Sequence, residues 1–226
     1  MGHGWDNHRG SRRPMMHRQL RGVSGRTWVI DETRQAGPGG RSTPFFAWEL
    51  GNEANRLWAQ RAIGGDDWAD DQEHLRRAFS VAQRSEIASC PFIHAPIDLI
   101  ESFDVYLISS IAKETLAHAL RLRTLDVTEL AALERALRGG LALLHDLDLV
   151  HSDVREDNVF LVEGDWKLGD LGAVVRANDP IVSIQREPCY RPAGAQLGAS
   201  AAVDNDLFAL EVVLRHVRAR MGTNGH

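Results

Sequence analysis

One stretch constrains the fold of this chain more than any other: LVHSDVREDNVFLVEGDWKLGDLG, residues 149–172. Leu149 and Val150 read as the end of a short strand. Residues 159–162 and 166–168 read as two more, with Glu163-Gly164-Asp165 as the turn between them. Folding these two strands on that turn brings Asn158 and Asp170 together. A carboxylate and an amide oxygen side by side are hard ligands that suit Mg²⁺. Asp153, one short loop away, is placed to accept a proton from an attacking hydroxyl. Together these groups are the minimal equipment for phosphoryl transfer from a nucleotide, where positioning and charge neutralisation dominate.

At 226 residues the chain has room for one domain or two small lobes, and 43% hydrophobic residues suffice for a packed core. A net charge of −5 argues against general nucleic-acid binding. Cys90 and Cys189 make no disulfide framework, no apolar run approaches a membrane span, and no signal-peptide pattern opens the chain. The expectation is a cytoplasmic protein with no membrane and no nucleic-acid partner.

Residues 1–26, rich in Gly, His and Arg, read as a disordered basic tail whose removal leaves the melting temperature unchanged. Residues 27–32, 45–49 and 56–63 read as three strands. The glycine-rich turn at 36–42 joins the first two, and its backbone N–H groups can approach phosphates closely. An acidic loop at 66–71 precedes a helix at 72–90. Strands follow at 97–102 and 105–109, then a short helix at 115–122. The clearest helix spans 126–147. Asp126 with Glu129 makes its capping box, and Leu130, Leu133, Leu137, Leu141 and Leu144 form an apolar stripe that is core. A second strong helix covers 204–221.

The pattern H-x-D-x-x-x-x-N at His151–Asn158, then a hairpin, then Asp170-Leu171-Gly172, resembles the catalytic and metal-binding loops of eukaryotic-type protein kinases. Sugar and aminoglycoside phosphotransferases share the first part; the D-x-G after a hairpin adds the specificity. The resemblance covers residues 27 to about 220 and implies an α+β, two-lobed protein kinase-like fold. Residues 27–109 would form an N-lobe of antiparallel sheet plus one helix. Residues 110–221 would form a mainly helical C-lobe truncated after its large central helix, with 222–226 as a tail. It implies an ATP- and Mg²⁺-dependent serine/threonine kinase acting on a protein substrate. Asp153 would be the base, Arg155 would stabilise the transferring phosphoryl group, and Asn158 and Asp170 would hold Mg²⁺. Gly37, Gly39 and Gly40 would cover the phosphates. Ala59 would stack on adenine, Arg61 would stand in the place of the strand lysine, Ser109 would be the gatekeeper, and Ser110-Ile111-Ala112 would be the hinge. Asp206 would hold the catalytic-loop backbone from beneath.

Several positions depart from that pattern. Arginine replaces lysine at Arg61, and the swap is not conservative. The helix glutamate falls near Val81 or Gln83 by counting back from Pro91, with Glu73 and Glu86 off register, so a weaker pair such as Arg61 with Gln83 is expected. Ser152 replaces the H-R-D arginine, which argues against Ser183 as a regulatory phosphosite. Gly194 stands where the activation segment ends in glutamate. Three C-lobe helices are missing, which leaves room for a protein partner covering the short C-lobe. Arg61, the absent helix glutamate and the absent C-lobe helices favour the alternative of a pseudokinase, a nucleotide-binding scaffold or interaction module. A small-molecule phosphotransferase or an atypical short kinase is a further alternative.

Overall fold

Alternating apolar residues in the first half of the chain build a curled antiparallel sheet in this computed structural model, which describes residues 17–35, 42–62, 68–182 and 188–222. The strands are β1 His17–Arg21, β2 Thr27–Gln35, β3 Ser42–Glu49 and β4 Leu57–Ala62. Helix α1 Trp68–Ala82 and the short α2 Ser85–Ala88 follow, and then β5 Asp98–Glu101 and β6 Val105–Ser110. The sheet order is β1-β2-β3-β4-β6-β5, all antiparallel.

Because side chains alternate across a strand, the sheet has two apolar faces. One packs on itself inside the curl, where Trp28, Ile30, Phe45, Leu57, Ala59, Tyr106 and Ile108 form a closed cluster. The other carries Ala62, Leu99, Val105 and Leu107, which join Leu75 and Ala78 of α1 in the main core.

The tail expected up to residue 26 ends earlier, since His17–Arg21 is a strand paired with β2. Leu20 packs on the inner cluster. The turn after β1 is clamped to β5: Ser24 donates its backbone and hydroxyl hydrogens to Asp98, and Trp28 Nε1 reaches the same carboxylate at 2.7 Å. Gly22 is required there, because a Cβ would lie 2.0 Å from Asp98 Oδ2.

The expected acidic loop at 66–71 is also corrected from Trp68 onward. Asp70 and Asp71 sit in the first turn of α1, where carboxylates suit the positive end of the helix; residues 66–67 lie outside the described residues. The single helix expected over 72–90 is broken. Arg84 is extended, and α2 is a separate turn.

The second half begins with β7 Glu114–Thr115, α3 Leu116–Leu122 and α4 Val127–Asp146. Asp126 accepts from Glu129 N at 2.8 Å and Glu129 Oε2 from Asp126 N at 3.0 Å, so the capping box is complete. Leu133, Leu137, Leu141 and Leu144 are buried, each stabilising the fold by about 1.5–3 kcal/mol. Next come β8 Leu149–Val150, β9 Val159–Val162, β10 Asp165–Leu168, β11 Val175–Arg176 and α5 Val203–Gly222. β10 pairs β9, β9 pairs β7, and β11 pairs β8. β8 packs against α4 and α5, the turn 156–158 that ends the loop between β8 and β9 packs against α3, and residues 171–173 pack against α1.

Candidate functional site

The loop from His151 to Asn158 is held by its own backbone demands. His151 N and Ser152 N donate to the two oxygens of Asp206 at 2.7 and 2.9 Å, and His145 Nε2 lies 3.0 Å from the same carboxylate. Asp206 is 1% exposed. Buried N–H groups need an acceptor, and an ionised one is the strongest available. His151 Nε2 donates to Gly169 O at 3.0 Å, so its Nδ1 is the acceptor that meets Asp153 N at 3.3 Å. That pair of bonds fixes the orientation of the ring. On the other side of the loop, buried Glu156 accepts from Tyr190 Oη and His216 Nδ1, joining the loop to segment 188–190 and to α5.

Asn158 donates Nδ2 to Asp153 O at 2.8 Å and to Asp153 Oδ2 at 2.7 Å. Both amide hydrogens are thus spent on Asp153, which leaves Asn158 Oδ1 as the acceptor of that side chain. Asp153 Oδ1 is buried without a hydrogen-bond partner. Burial, and then the charge of Asp170, push the Asp153 carboxyl above its ordinary range. Asp170 follows β10 with its backbone in the left-handed region, φ 56° and ψ 66°. Burial opposes its ionisation. His74, through its charge and a 2.6 Å hydrogen bond, and His151 overcome that and hold Asp170 down to about 2. The structure therefore brings Asp153, Asn158 and Asp170 into one constellation.

The other expected site residues fare differently. Arg155 is ion-paired with Asp157. Gly37, Gly39 and Gly40 lie outside the described residues, as do Ser183 and Glu187. Ser110 ends β6 and Ala112 follows it, at the edge of the second half. Ser110 O accepts from His94 Nε2 at 3.1 Å, and burial pushes His94 down to about 4, which keeps that ring neutral at pH 7. Ala59 and Arg61 are corrected. Ala59 pairs Ile108 and Arg61 pairs Tyr106, residues of the cluster inside the curl, so both face away from α1 and Asp170. Arg61 meets Glu32 of β2 at 3.4 Å, not Gln83, and its guanidinium lies over the Phe45 ring. The side of β4 that does face the site carries Trp58 and Gln60, opposite Ser109 and Leu107. Trp58 Nε1 and Ser109 Oγ are both buried without partners.

The helix residue that faces the loop carrying Asp170 is His74, seven positions before Val81. Arg77 adds a bond to Gly172 O at 2.9 Å. Counting back from Pro91 misses His74 because α2 and the break at Arg84 intervene. The usable signal was that His74 flanks Leu75 and Ala78, the residues that α1 buries.

Among the described residues no cluster of three or more His, Cys, Asp or Glu can hold a metal by itself, and no helix is long and apolar enough to cross a membrane. The constellation offers two oxygen ligands, Asn158 Oδ1 and Asp170, a set that suits Mg²⁺, which keeps waters and phosphate oxygens as its remaining ligands.

Comparison with known proteins finds distant likeness to serine/threonine protein kinases. The serine/threonine-protein kinases PknA of Corynebacterium glutamicum is 27% identical over 206 residues, 82% of this chain and 40% of its own length. The inactive serine/threonine-protein kinase PLK5 of Mus musculus is 36% identical over 83 residues, 36% of this chain and 14% of its own length. The chain thus spans less than half the length of either relative. No family model matches. The chain is related at low identity to serine/threonine protein kinases, and its α+β architecture with a curled antiparallel sheet is compatible with the N-lobe of such a protein.

Proposed function

We propose that this chain is an ATP- and Mg²⁺-dependent kinase of protein hydroxyl groups, of the serine/threonine type, on a two-lobed kinase-like fold. The N-lobe runs from His17 to Ser109 and the C-lobe from Ser110 to Met221. One observation carries the reading. Asn158 fixes Asp153 with both amide hydrogens while its oxygen and Asp170 remain for a cation. Asp153 accepts the proton of the attacking hydroxyl, and its raised pKa suits that role. Asn158 and Asp170 hold Mg²⁺, which neutralises phosphate charge when bound. Arg155 reaches the transferring phosphoryl group once it exchanges Asp157 for it.

A second reading, a pseudokinase that binds nucleotide without turning it over, is favoured by β4. Its site-facing side presents Trp58 and Gln60 and no cation, while Arg61 is committed to Glu32. One of the two relatives above is itself named inactive.

A thermal-shift titration with ATP, with and without Mg²⁺, on the wild type and on Asp170→Asn separates these readings. A ligand that binds only the folded state raises its melting temperature. We expect a shift that needs both Mg²⁺ and Asp170, followed by phosphate transfer to a protein acceptor. A Mg²⁺-independent shift with no transfer would leave the scaffold reading, and no shift at all would overturn both.

A further inference from the structure

We propose that His74 of α1 is a positioning residue for Asp170, orienting that carboxylate from the helix with no help from a cation on β4; this rests on the cation role given to Asp170 under the kinase reading.

A carboxylate that serves a cation must present an oxygen in a fixed direction, and its own hydrogen bonds set that direction. Asp170 stands just past β10 with its backbone in the left-handed region, where the chain turns at once into the helical turn 171–173. His74 Nε2 donates to Asp170 Oδ1 at 2.6 Å. With one oxygen held, the side chain no longer turns about its two single bonds, and the direction of Oδ2 is set.

His74 is itself locked in place. It is buried, and its ring fills the space that a side chain at position 172 would take: a Cβ there would lie 2.3 Å from Nε2 and from Cδ2. Arg77 is three residues on, hence on the same helix face, and donates from Nη1 to Gly172 O at 2.9 Å. One face of α1 thus grips the carboxylate of Asp170 and the backbone two residues later. Leu75, Ala78 and Ala82 are buried in the main core, which keeps the helix from rolling on its axis. On the sheet, Arg61 lies on the far face of β4, where it meets Glu32 and Asp104. The near face carries Trp58 and Gln60, neither of them charged. The orienting contacts therefore come from the helix.

The test titrates Mg²⁺ into the full chain with a fluorescent ATP analogue at constant temperature and reads the Mg²⁺ concentration for half-maximal binding. Loss of a hydrogen-bond partner behind a metal ligand weakens the metal by about 10–100-fold. His74→Leu should accordingly raise the half-saturating concentration at least about tenfold. His74→Gln, whose amide N–H can take over the bond, should recover most of that loss. Arg77→Met removes the bond to Gly172 O and should shift the value in the same direction by a smaller factor; it carries the test if His74→Leu fails to fold. Arg61→Gln should leave the value unchanged. A His74→Leu chain that melts lower yet keeps the wild-type value overturns the assignment, because α1 then only packs against the turn. A lower value in His74→Leu overturns it too, because His74 then competes with the cation. A rise in His74→Gln as large as in His74→Leu overturns the hydrogen bond as the cause, and an equal rise in Arg61→Gln overturns the exclusion of β4. If the wild type binds the analogue without Mg²⁺ dependence, or not at all, the cation role of Asp170 fails and this assignment with it. An unchanged His74→Leu beside a Mg²⁺-dependent wild type removes this assignment alone.

Discussion

Asp153 is held by the fold partly against its own ionisation. Its carboxyl is pushed up by burial and by Asp170, so its folded-state pKa lies above the value of about 3.9 in an unfolded chain. A group of this kind favours folding fully below the unfolded pKa, and that contribution is lost as pH rises through the folded pKa. Asp153→Asn should therefore raise the melting temperature at neutral pH and make little difference below about pH 4, where both forms are neutral. Thermal unfolding scanned across pH checks this, and on the proposed mechanism the same variant binds nucleotide but transfers no phosphate. The trio of Asp153, Asn158 and Asp170 was legible in the sequence because one short loop and one hairpin bring it together. Ala59 and Arg61 were not, because a one-residue change of register moves a whole strand to the other face of its sheet. Leu57-Trp58-Ala59-Gln60 offers apolar residues to both faces, and only pairing with β6 decides between them.

At the scale of elements, α5 is the support on which the 151–158 loop rests. Asp206 lies in its first turn and takes two loop amides and one histidine. Asp206→Ala should leave two buried N–H groups without an acceptor and cost about 3 kcal/mol, read as a lower urea midpoint. α4 and α5 were the most legible helices, with strong periodicity and a capping box at the head of α4. α1 was less so. Its length and register depend on the break at Arg84, where the backbone is extended and no side chain caps α2. Gly172 shows how closely α1 then approaches: a Cβ there would lie 2.3 Å from the His74 ring. No periodicity reveals a contact of that kind between distant segments.

At the scale of the molecule, the sheet is a curled wall with an apolar cluster inside it and the main core outside. The early strand β1 belongs to that wall, although its residues are too polar and too few for an alternating pattern to announce a strand. Deleting residues 1–26 should therefore lower the melting temperature by at least about 5 °C, since it uncovers part of the inner cluster and removes Ser24 from Asp98; the scale is about 2–4 °C per kcal/mol for a chain of this size. An unchanged melting temperature would mean that β1 adds no stability. The strand β6 follows from the same two-sided arrangement. Val105 and Leu107 belong to the outer core, while Tyr106 and Ile108 belong to the inner cluster, and the strand is paired on both edges. To release its amides the molecule must dissolve both cores at once. In hydrogen–deuterium exchange, β6 should accordingly be the last segment of the sheet to take up deuterium, doing so only through global unfolding, well after β1 and β5 at its margins.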